Sequence, residues 1–469
     1  MRTECSSGQL EFQEIGKHRV VADFEGGTIT SDAGALLLQE ADRTGGVLKR
    51  FAACFTDHRK PGQIEHSVEQ LVAQRVIGLC LGYEDLNDHD FLRKDPLLAV
   101  VCGQQDVEGR RRRRSRDCGA ALAGKSTLNR LELAARDGGA AHRYRKIVAH
   151  PYRIEELLID LFLEQYSEPP EEIVVDLDGT DDPLHGNQEG RFFHGYYDCW
   201  CYLPLYIFCG PHLVHAQLRR SSCDPIEGVI PALAMIYGKV ASRWPETRML
   251  IRGDGGFCRV ELMSFCEGRG IDYVFGLPKN SVLLNMLAPV MKASKADYVA
   301  GGPAVRRYAD LEYRTTRSWN KSRRVVGKAE YSGEGENPRF VVTSLSVAQA
   351  DAQNVYEQRY CPRGDMENRI KEQQLYLFAD RTSTALFDAN QLRLWFSSIA
   401  YVLLNLLRSV GCVGTEFAVA QCHTLRLRLL KIGALVKVSV RRVVIHMASG
   451  YPYQSLFRTV CVNLRAAAP

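Results

Sequence analysis

The stretch Glu171-Glu-Ile-Val-Val-Asp-Leu-Asp-Gly-Thr180 sets the reading of everything around it. Its centre, Ile173-Val174-Val175, is β-branched and apolar, the composition of a buried strand. Asp176 and Asp178 follow two residues apart, so in an extended chain both side chains point to one face. An apolar strand that ends in two acids at a Gly-Thr turn has the form of a floor for a metal or acid–base site. Taken alone it is also an ordinary strand end, since Asp before Gly is common turn chemistry. The remaining sequence has to separate the two.

The chain has 469 residues, enough for two to four domains, and its 45% hydrophobic and 25% charged content is that of a globular protein. No apolar run reaches the length of a membrane span, and the polar start with Glu4 is no secretory signal, so a cytoplasmic protein without a membrane partner is expected. The 15 cysteines are scattered and lack any Cys-x-x-Cys pair, which predicts reduced, mostly buried thiols and no zinc site. The net charge of +5 is mild, but basic residues cluster. Arg110, Arg111, Arg112, Arg113 and Arg114 stand together with Arg116 close by. Smaller groups are Arg306-Arg307, Lys321 to Arg324 and Arg426 to Lys431. Such patches on a near-neutral chain suit a polyanion.

Residues 1–168 read as mainly helical. A hairpin is predicted over His18 to Ile29 about a Glu25-Gly26-Gly27 turn, then a helix capped by Ser31-Asp32 and another over Ser67 to Leu81. The arginine block falls in a loop, and Pro169-Pro170 closes the region. From there the pattern is β-β-β-α-β-α-β: strands at 173–178, Tyr202 to Cys209 and Leu213 to Leu218, then a helix opened by Asp224-Pro225. A strand at Arg248 to Arg252, a helix ending at Gly268 and a strand at Ile271 to Phe275 complete it. Asp178 and Asp254 therefore both follow strands, where α/β sheets carry their sites. Residues 281–345 break the pattern with three antiparallel strands, a β-rich insertion. Helices return at about 348, with long apolar ones at Leu392 to Leu407 and Leu425 to Leu435.

A third acid lies in Tyr360-Cys-Pro-Arg363-Gly-Asp-Met-Glu367-Asn-Arg369-Ile-Lys371. Pro362 is read as opening a helix on which Arg363, Glu367 and Lys371 share a face. An Asp after the first strand, an Asp after the fourth and a Glu within Tyr360-x2-Arg363-x3-Glu367 resemble the DDE transposases, the RNase H-like enzymes of bacterial insertion sequences. The sequence resembles most the insertion-sequence 1380 group. The supporting motifs are Asp176-Leu-Asp178-Gly-Thr180, His185-Gly-Asn-Gln188-Glu189, Gly195-Tyr-Tyr197, Tyr202-Leu-Pro-Leu205, Arg252-Gly-Asp254-Gly-Gly256-Phe257 and Gly450-Tyr-Pro-Tyr453.

The resemblance implies an α/β, RNase H-like mixed-sheet catalytic core with a β-rich insertion and helical N- and C-terminal regions. Its layout would be an N-terminal region over 1–168 that binds the element's ends, a first core part over 169–280 and the insertion over 281–345. A second core part over 346–410 carries the catalytic Glu, and a C-terminal region follows over 411–469. It implies a transposase that binds terminal inverted repeats in double-stranded DNA, cleaves them and transfers the strands as a homodimer, with no nucleotide cofactor. Asp178, Asp254 and Glu367 would be catalytic and hold two Mg²⁺ ions, or Mn²⁺ in their place. Asp176 would play a supporting part. Tyr360, Arg363 and Lys371 would bind DNA phosphates, Trp319 would stack on a base, and the arginine block would touch DNA. One position departs: the wider signature continues Glu-x6-Lys, and Gln374 stands there, which leaves Lys371 as the substitute. The other reading open to the sequence is a transposase-derived DNA-binding protein or repressor that does not cut.

Gly119-Ala-Ala-Leu-Ala-Gly-Lys125-Ser126 matches the phosphate-loop pattern by letter, but no strand is predicted before it, and Ser126 is read as a helix cap instead.

Overall fold

The computed structural model describes residues 9–134, 139, 141 and 145–468. The chain forms two compact units, one of Met1–Lys49, Arg59–Leu131 and Leu406–Pro469, the other of Arg50–His58 and Glu132–Asn405.

The larger unit is built on one sheet. Its strands are β1 (Glu172–Gly179), β2 (Leu205–Cys209), β3 (His212–Gln217), β4 (Arg248–Gly253), β5 (Asp272–Leu277), β6 (Val305–Tyr313), β7 (Arg323–Ser332) and β8 (Gly335–Thr343). They lie in the order β3-β2-β1-β4-β5-β8-β7-β6. β1, β2 and β3 form the expected antiparallel meander, and β4 and β5 add in parallel beyond β1. Helices α1 (Val229–Arg243) and α2 (Val260–Glu267) make the connections into β4 and β5. The β-rich stretch continues this sheet, because β8 pairs antiparallel with β5 and carries β7 and β6 with it.

Period-two alternation divides the sheet into two faces. Ile173, Val175 and Leu177 of β1 pack with Met249 and Ile251 of β4 against α1, α2 and α3 (Ser281–Asp297), in the main core. Val174 of β1 and Leu250 of β4 point the other way, onto Val355, Tyr356 and Tyr360. Burying each such aliphatic side chain contributes about 1.5–3 kcal/mol, so both faces hold β1 in register. Asp176 and Asp178 belong by parity to the second face.

Several local expectations change. Asp224 does not cap α1; it caps the turn before it, accepting the Ile226 N–H at 3.0 Å, and α1 starts after Gly228 at φ +80°. Buried Arg219 donates to the Pro225 and Glu227 carbonyls and so fixes that turn. The helix Phe387–Gly411 is long and apolar enough to cross a membrane, yet 83% of its most apolar stretch is buried, as in a core helix.

In the smaller unit the helix expected over Ser67 to Leu81 runs over Val68–Leu81, with Ser67 as its cap, closed by Gln70 as a capping box. The hairpin shifts: Leu10–Ile15 pairs with His18–Ala22 around Gly16, whose φ of +62° suits the tight turn, while Ile29–Thr30 pairs with Ala434–Val438. Asp32 does not cap a helix. It is buried, bound by Lys431 at 2.6 Å and the Tyr83 hydroxyl at 2.7 Å. Arg426 donates to the Leu79 and Cys80 carbonyls at a helix end, so the Arg426 to Lys431 group is partly committed inside the fold. The expected helix over Leu425 to Leu435 stops at Leu430, and Ala434–Val438 is strand. The phosphate-loop look-alike has no strand before it; Ala120 to Ala123 are buried, and Gln74 bonds both backbone groups of Ala123. Ser126 lies inside the helix Lys125–Glu132, not at its cap. Nine of the fourteen described cysteines are buried.

Two histidines make this unit sensitive to acid. Burial, helped by Arg112, Arg59 and Arg93, lowers the His66 pKa to about 4; burial, helped by Arg75, lowers that of His89 to about 3. Both are neutral in the fold and gain a proton more readily when unfolded. The stability they support is complete above pH 6.5 and drains as pH falls from there toward 3–4. Each should have withdrawn about 2 kcal/mol by about pH 5. A chemical-denaturation series across that range should show the decline, and His89→Gln should flatten it; equal stability at neutral and acid pH would contradict the assignment.

Candidate active site

Parallel pairing of β1 with β4 sets Arg252 opposite Asp176. The offset is 252 − 176 = 76, and 254 − 178 is also 76. The ladder ends at Arg252 and Asp176: Asp178 is two residues further along β1, and Asp254 caps the turn that follows β4, near enough for its charge to act on Asp178.

Asp176 and Asp178 have different partners. Arg252 grips Asp176 with two bonds, Nε to Oδ1 at 2.6 Å and Nη2 to Oδ2 at 2.7 Å, both groups buried. Its Nη1 donates to the Arg359 carbonyl at 2.9 Å. The pair thus ties β1 and β4 to the helical segment above them. Burial still outweighs Arg252 and raises the Asp176 pKa from its ordinary value. Asp178 has no such clamp. It accepts the Gly179 N–H at 3.0 Å and an Arg363 Nη1 bond at 3.3 Å. Burial pushes its pKa up to about 6 against the pull of Arg363, with Asp254 and Glu367 adding repulsion. Asp254 caps the turn Gly255–Phe257, its Oδ1 accepting the Gly256 N–H at 2.8 Å.

The third acid arrives on a helical run over Ala352–Tyr376. It begins with Asp351 as cap, widens into a π turn over Val355–Tyr360, tightens at Cys361–Arg363 and continues as α4 (Gly364–Lys371) into a second π turn. Pro362 does not open the helix as expected. The π turn before it lets the Cys361 N–H bond Tyr356, and the absent proline N–H falls in the short tight turn. Tyr356 is buried against β5 and β7 residues, Tyr308 bonds Glu357 at 2.6 Å, and Arg359 pairs with Glu172. These anchors present Tyr360, Arg363 and Glu367 to the two aspartates. Arg363 also reaches Glu367 Oε1 at 3.9 Å, and the charges of Asp178, Asp254 and Glu367 raise its pKa against the effect of burial. Gly276 of β5 leaves the space: a Cβ there would stand 2.7 Å from the Tyr360 hydroxyl and 2.9 Å from the Gly255 nitrogen.

Asp178, Asp254, Glu367, Arg363 and Tyr360 are therefore brought together. Lys371 is exposed one turn beyond Glu367. Gln374 donates to the Asp181 carbonyl at 2.9 Å, tying the helix to the loop after β1. Trp319 is not at the site: it is 5% exposed, packed edge-on against Tyr313 in the main core, so the base-stacking role expected of it has no open ring face. The arginine block lies in the smaller unit, with Arg110, Arg111, Arg113 and Arg114 exposed and Arg112 turned in to His66 and Glu65. The other basic groups of the larger unit are matched by acids: Arg306 by Glu330, Arg307 by Asp297, Lys321 and Arg323 by Glu267, and Arg324 by Asp310. The positioning role of Arg252 escaped the sequence reading, although the repeated 76-residue offset carried it. Tyr197 escaped it too; it lies within electrostatic reach of Asp181, Asp178 and Asp254.

Among the described residues no three His, Cys, Asp or Glu side chains stand at ligand spacing for a metal ion. The donors nonetheless suit a hard cation: all are carboxylate oxygens, burial and then the charges of Asp254 and Glu367 disfavour a bare negative charge on Asp178, and Glu367 is on a half-exposed side chain. A family model described as transposase DDE domain group 1 matches residues 12–469. No curated protein matches the chain.

Proposed function

The chain belongs to the transposase DDE domain group 1 family, and on that premise we propose that Asp178, Asp254 and Glu367 are its three catalytic acids. The carrying observation is the pairing of β1 with β4, which sets Arg252 on Asp176 and leaves Asp178 without that clamp, within reach of the charges of Asp254 and Glu367. The finer reading is an RNase H-like core, supported by the β3-β2-β1-β4-β5 order, in a transposase of the insertion-sequence 1380 group.

The substrate is double-stranded DNA at the terminal inverted repeats, cut and then joined to a target, by a cut-and-paste route and in the bacterial cytoplasm. Both steps are displacements at phosphorus. Bound by the three acids, two Mg²⁺ or Mn²⁺ ions would activate the attacking oxygen and stabilise the leaving one. Arg363 is placed to hold a phosphate by two N–H donors once its acid partners are neutralised. Tyr360 directs its hydroxyl to the same place, and Lys371 adds a cation one turn away. Arg252 positions Asp176 and the helical run and does not touch substrate. Two ends are brought together by a homodimer.

Incubating the protein with Mg²⁺ and DNA carrying the flanking inverted repeats tests the reading. Metal-dependent double-strand breaks at the ends are expected, and intact DNA that is nevertheless bound would favour a non-cutting repressor. The exposed arginines should each pair with a DNA phosphate. Replacing Arg110, Arg111, Arg113 and Arg114 by Gln should lower the slope of log affinity against log salt by about 0.9 for every phosphate no longer neutralised. An unchanged slope would leave them as a solvated loop.

A further inference from the structure

A small sheet projects beside the acids and carries residues with no part in the chemistry above. Phe192–His194 pairs antiparallel with Cys199–Tyr202, which also pairs with Asp182–Pro183. The base is anchored by Ser221 Oγ donating to the Phe192 carbonyl at 3.1 Å and by the Tyr202 hydroxyl donating to the Glu189 carbonyl. The tip, Gly195 to Asp198, turns tightly enough to put Asp198 at φ +52°. There Tyr197 packs against His194 and Tyr196; burial raises its hydroxyl pKa, and the charges of Asp181, Asp178 and Asp254 add to the rise.

The outer surface of this hairpin is aromatic and open. Phe193 and Trp200 are cross-strand partners packed edge-on at 5.8 Å, each more than two-fifths exposed, and Tyr196 is 85% exposed. Arg191 lies over the Trp200 ring at 4.7 Å, held there by its bond to the Gly186 carbonyl at 2.7 Å. Four aromatic or guanidinium groups on one short hairpin, facing water, are not explained by packing. Their charge is positive where a strand passing the acids would be negative.

We propose that Arg191, Phe193, Tyr196 and Trp200 form a platform for the unpaired DNA strand that runs on from the scissile phosphate. The rings stack on bases of any sequence, and the Arg191 edge takes a backbone phosphate. This deepens the DNA-cutting reading and rests on it.

The test uses the whole protein with chelator present, so that DNA is bound and not cut. The probes are a blunt duplex and the same duplex with a single-stranded overhang containing 2-aminopurine. Wild type should quench the 2-aminopurine fluorescence severalfold and bind the overhang probe more tightly than the blunt one. Tyr196→Ala with Trp200→Ala should abolish the quench and weaken overhang binding about tenfold or more per ring, with blunt binding unchanged. Trp200→Phe should keep most of the effect, which separates stacking from misfolding. Equal loss on both probes, an unaltered quench, or loss of self-association in place of DNA binding would overturn the proposal. Quenching without Mg²⁺-dependent cutting would sink the nuclease reading and keep the platform; cutting without quenching would do the reverse.

Discussion

Asp254→Asn is expected to abolish strand cleavage while leaving DNA binding and the fold in place. The side chain does two things that this substitution separates. Its Oδ1 accepts the Gly256 N–H at 2.8 Å, and an asparagine oxygen makes the same bond, so the turn after β4 should persist. Its negative charge, beside Asp178 and Glu367, is lost. If that charge holds a divalent ion, the loss is several kcal/mol of transition-state stabilisation, about a thousandfold or more in rate. Asp178→Asn should match it. The measurement is cleavage of end-containing DNA against Mg²⁺, alongside affinity for the same DNA and the melting temperature. A variant that cuts at more than about a tenth of the wild-type rate would remove Asp254 from the chemistry.

Arg252→Ala should produce the largest loss of stability. It leaves Asp176 buried without its two bonds and frees the Arg359 carbonyl as well. Breaking one side of a buried pair costs about 3–5 kcal/mol, because a charge remains where no water can reach it. In a unit of this size that lowers the melting temperature by about 2 °C or more per kcal/mol. Removing both partners is a different experiment. Burial already raises the Asp176 pKa despite Arg252, so the pair contributes little net stability. Arg252→Met with Asp176→Leu should therefore recover most of the loss. Cleavage should stay impaired in that double variant, since the helical run carrying Arg363 and Glu367 would have lost its tie to the sheet. A double variant as unstable as the single one would show that the pair itself stabilises the fold.

Much of the sheet was legible because strands announce themselves locally. Ile173-Val174-Val175, the meander through Leu205–Cys209 and His212–Gln217, and the strands before Asp254 and Gly276 all carry their own apolar pattern. Caps and breaks were less legible, because they depend on partners far away in sequence. Asp32 looks like a cap until Lys431 takes it, and Asp224 looks like one until Arg219 fixes the carbonyls around it. Pro362 looks like a helix start until a π turn absorbs its missing donor.

The sequence alone determined which acids are available and that two of them end strands, because residue type and alternation are local properties. Alternation put Asp176 and Asp178 on one face, and only the Gly-Thr after Asp178, read through the family resemblance, favoured that residue. The tertiary structure supplied the physical difference between them. A parallel register of 76 residues puts Arg252 of β4 against Asp176 and leaves Asp178 without such a clamp, and no residue within either strand encodes that pairing by itself.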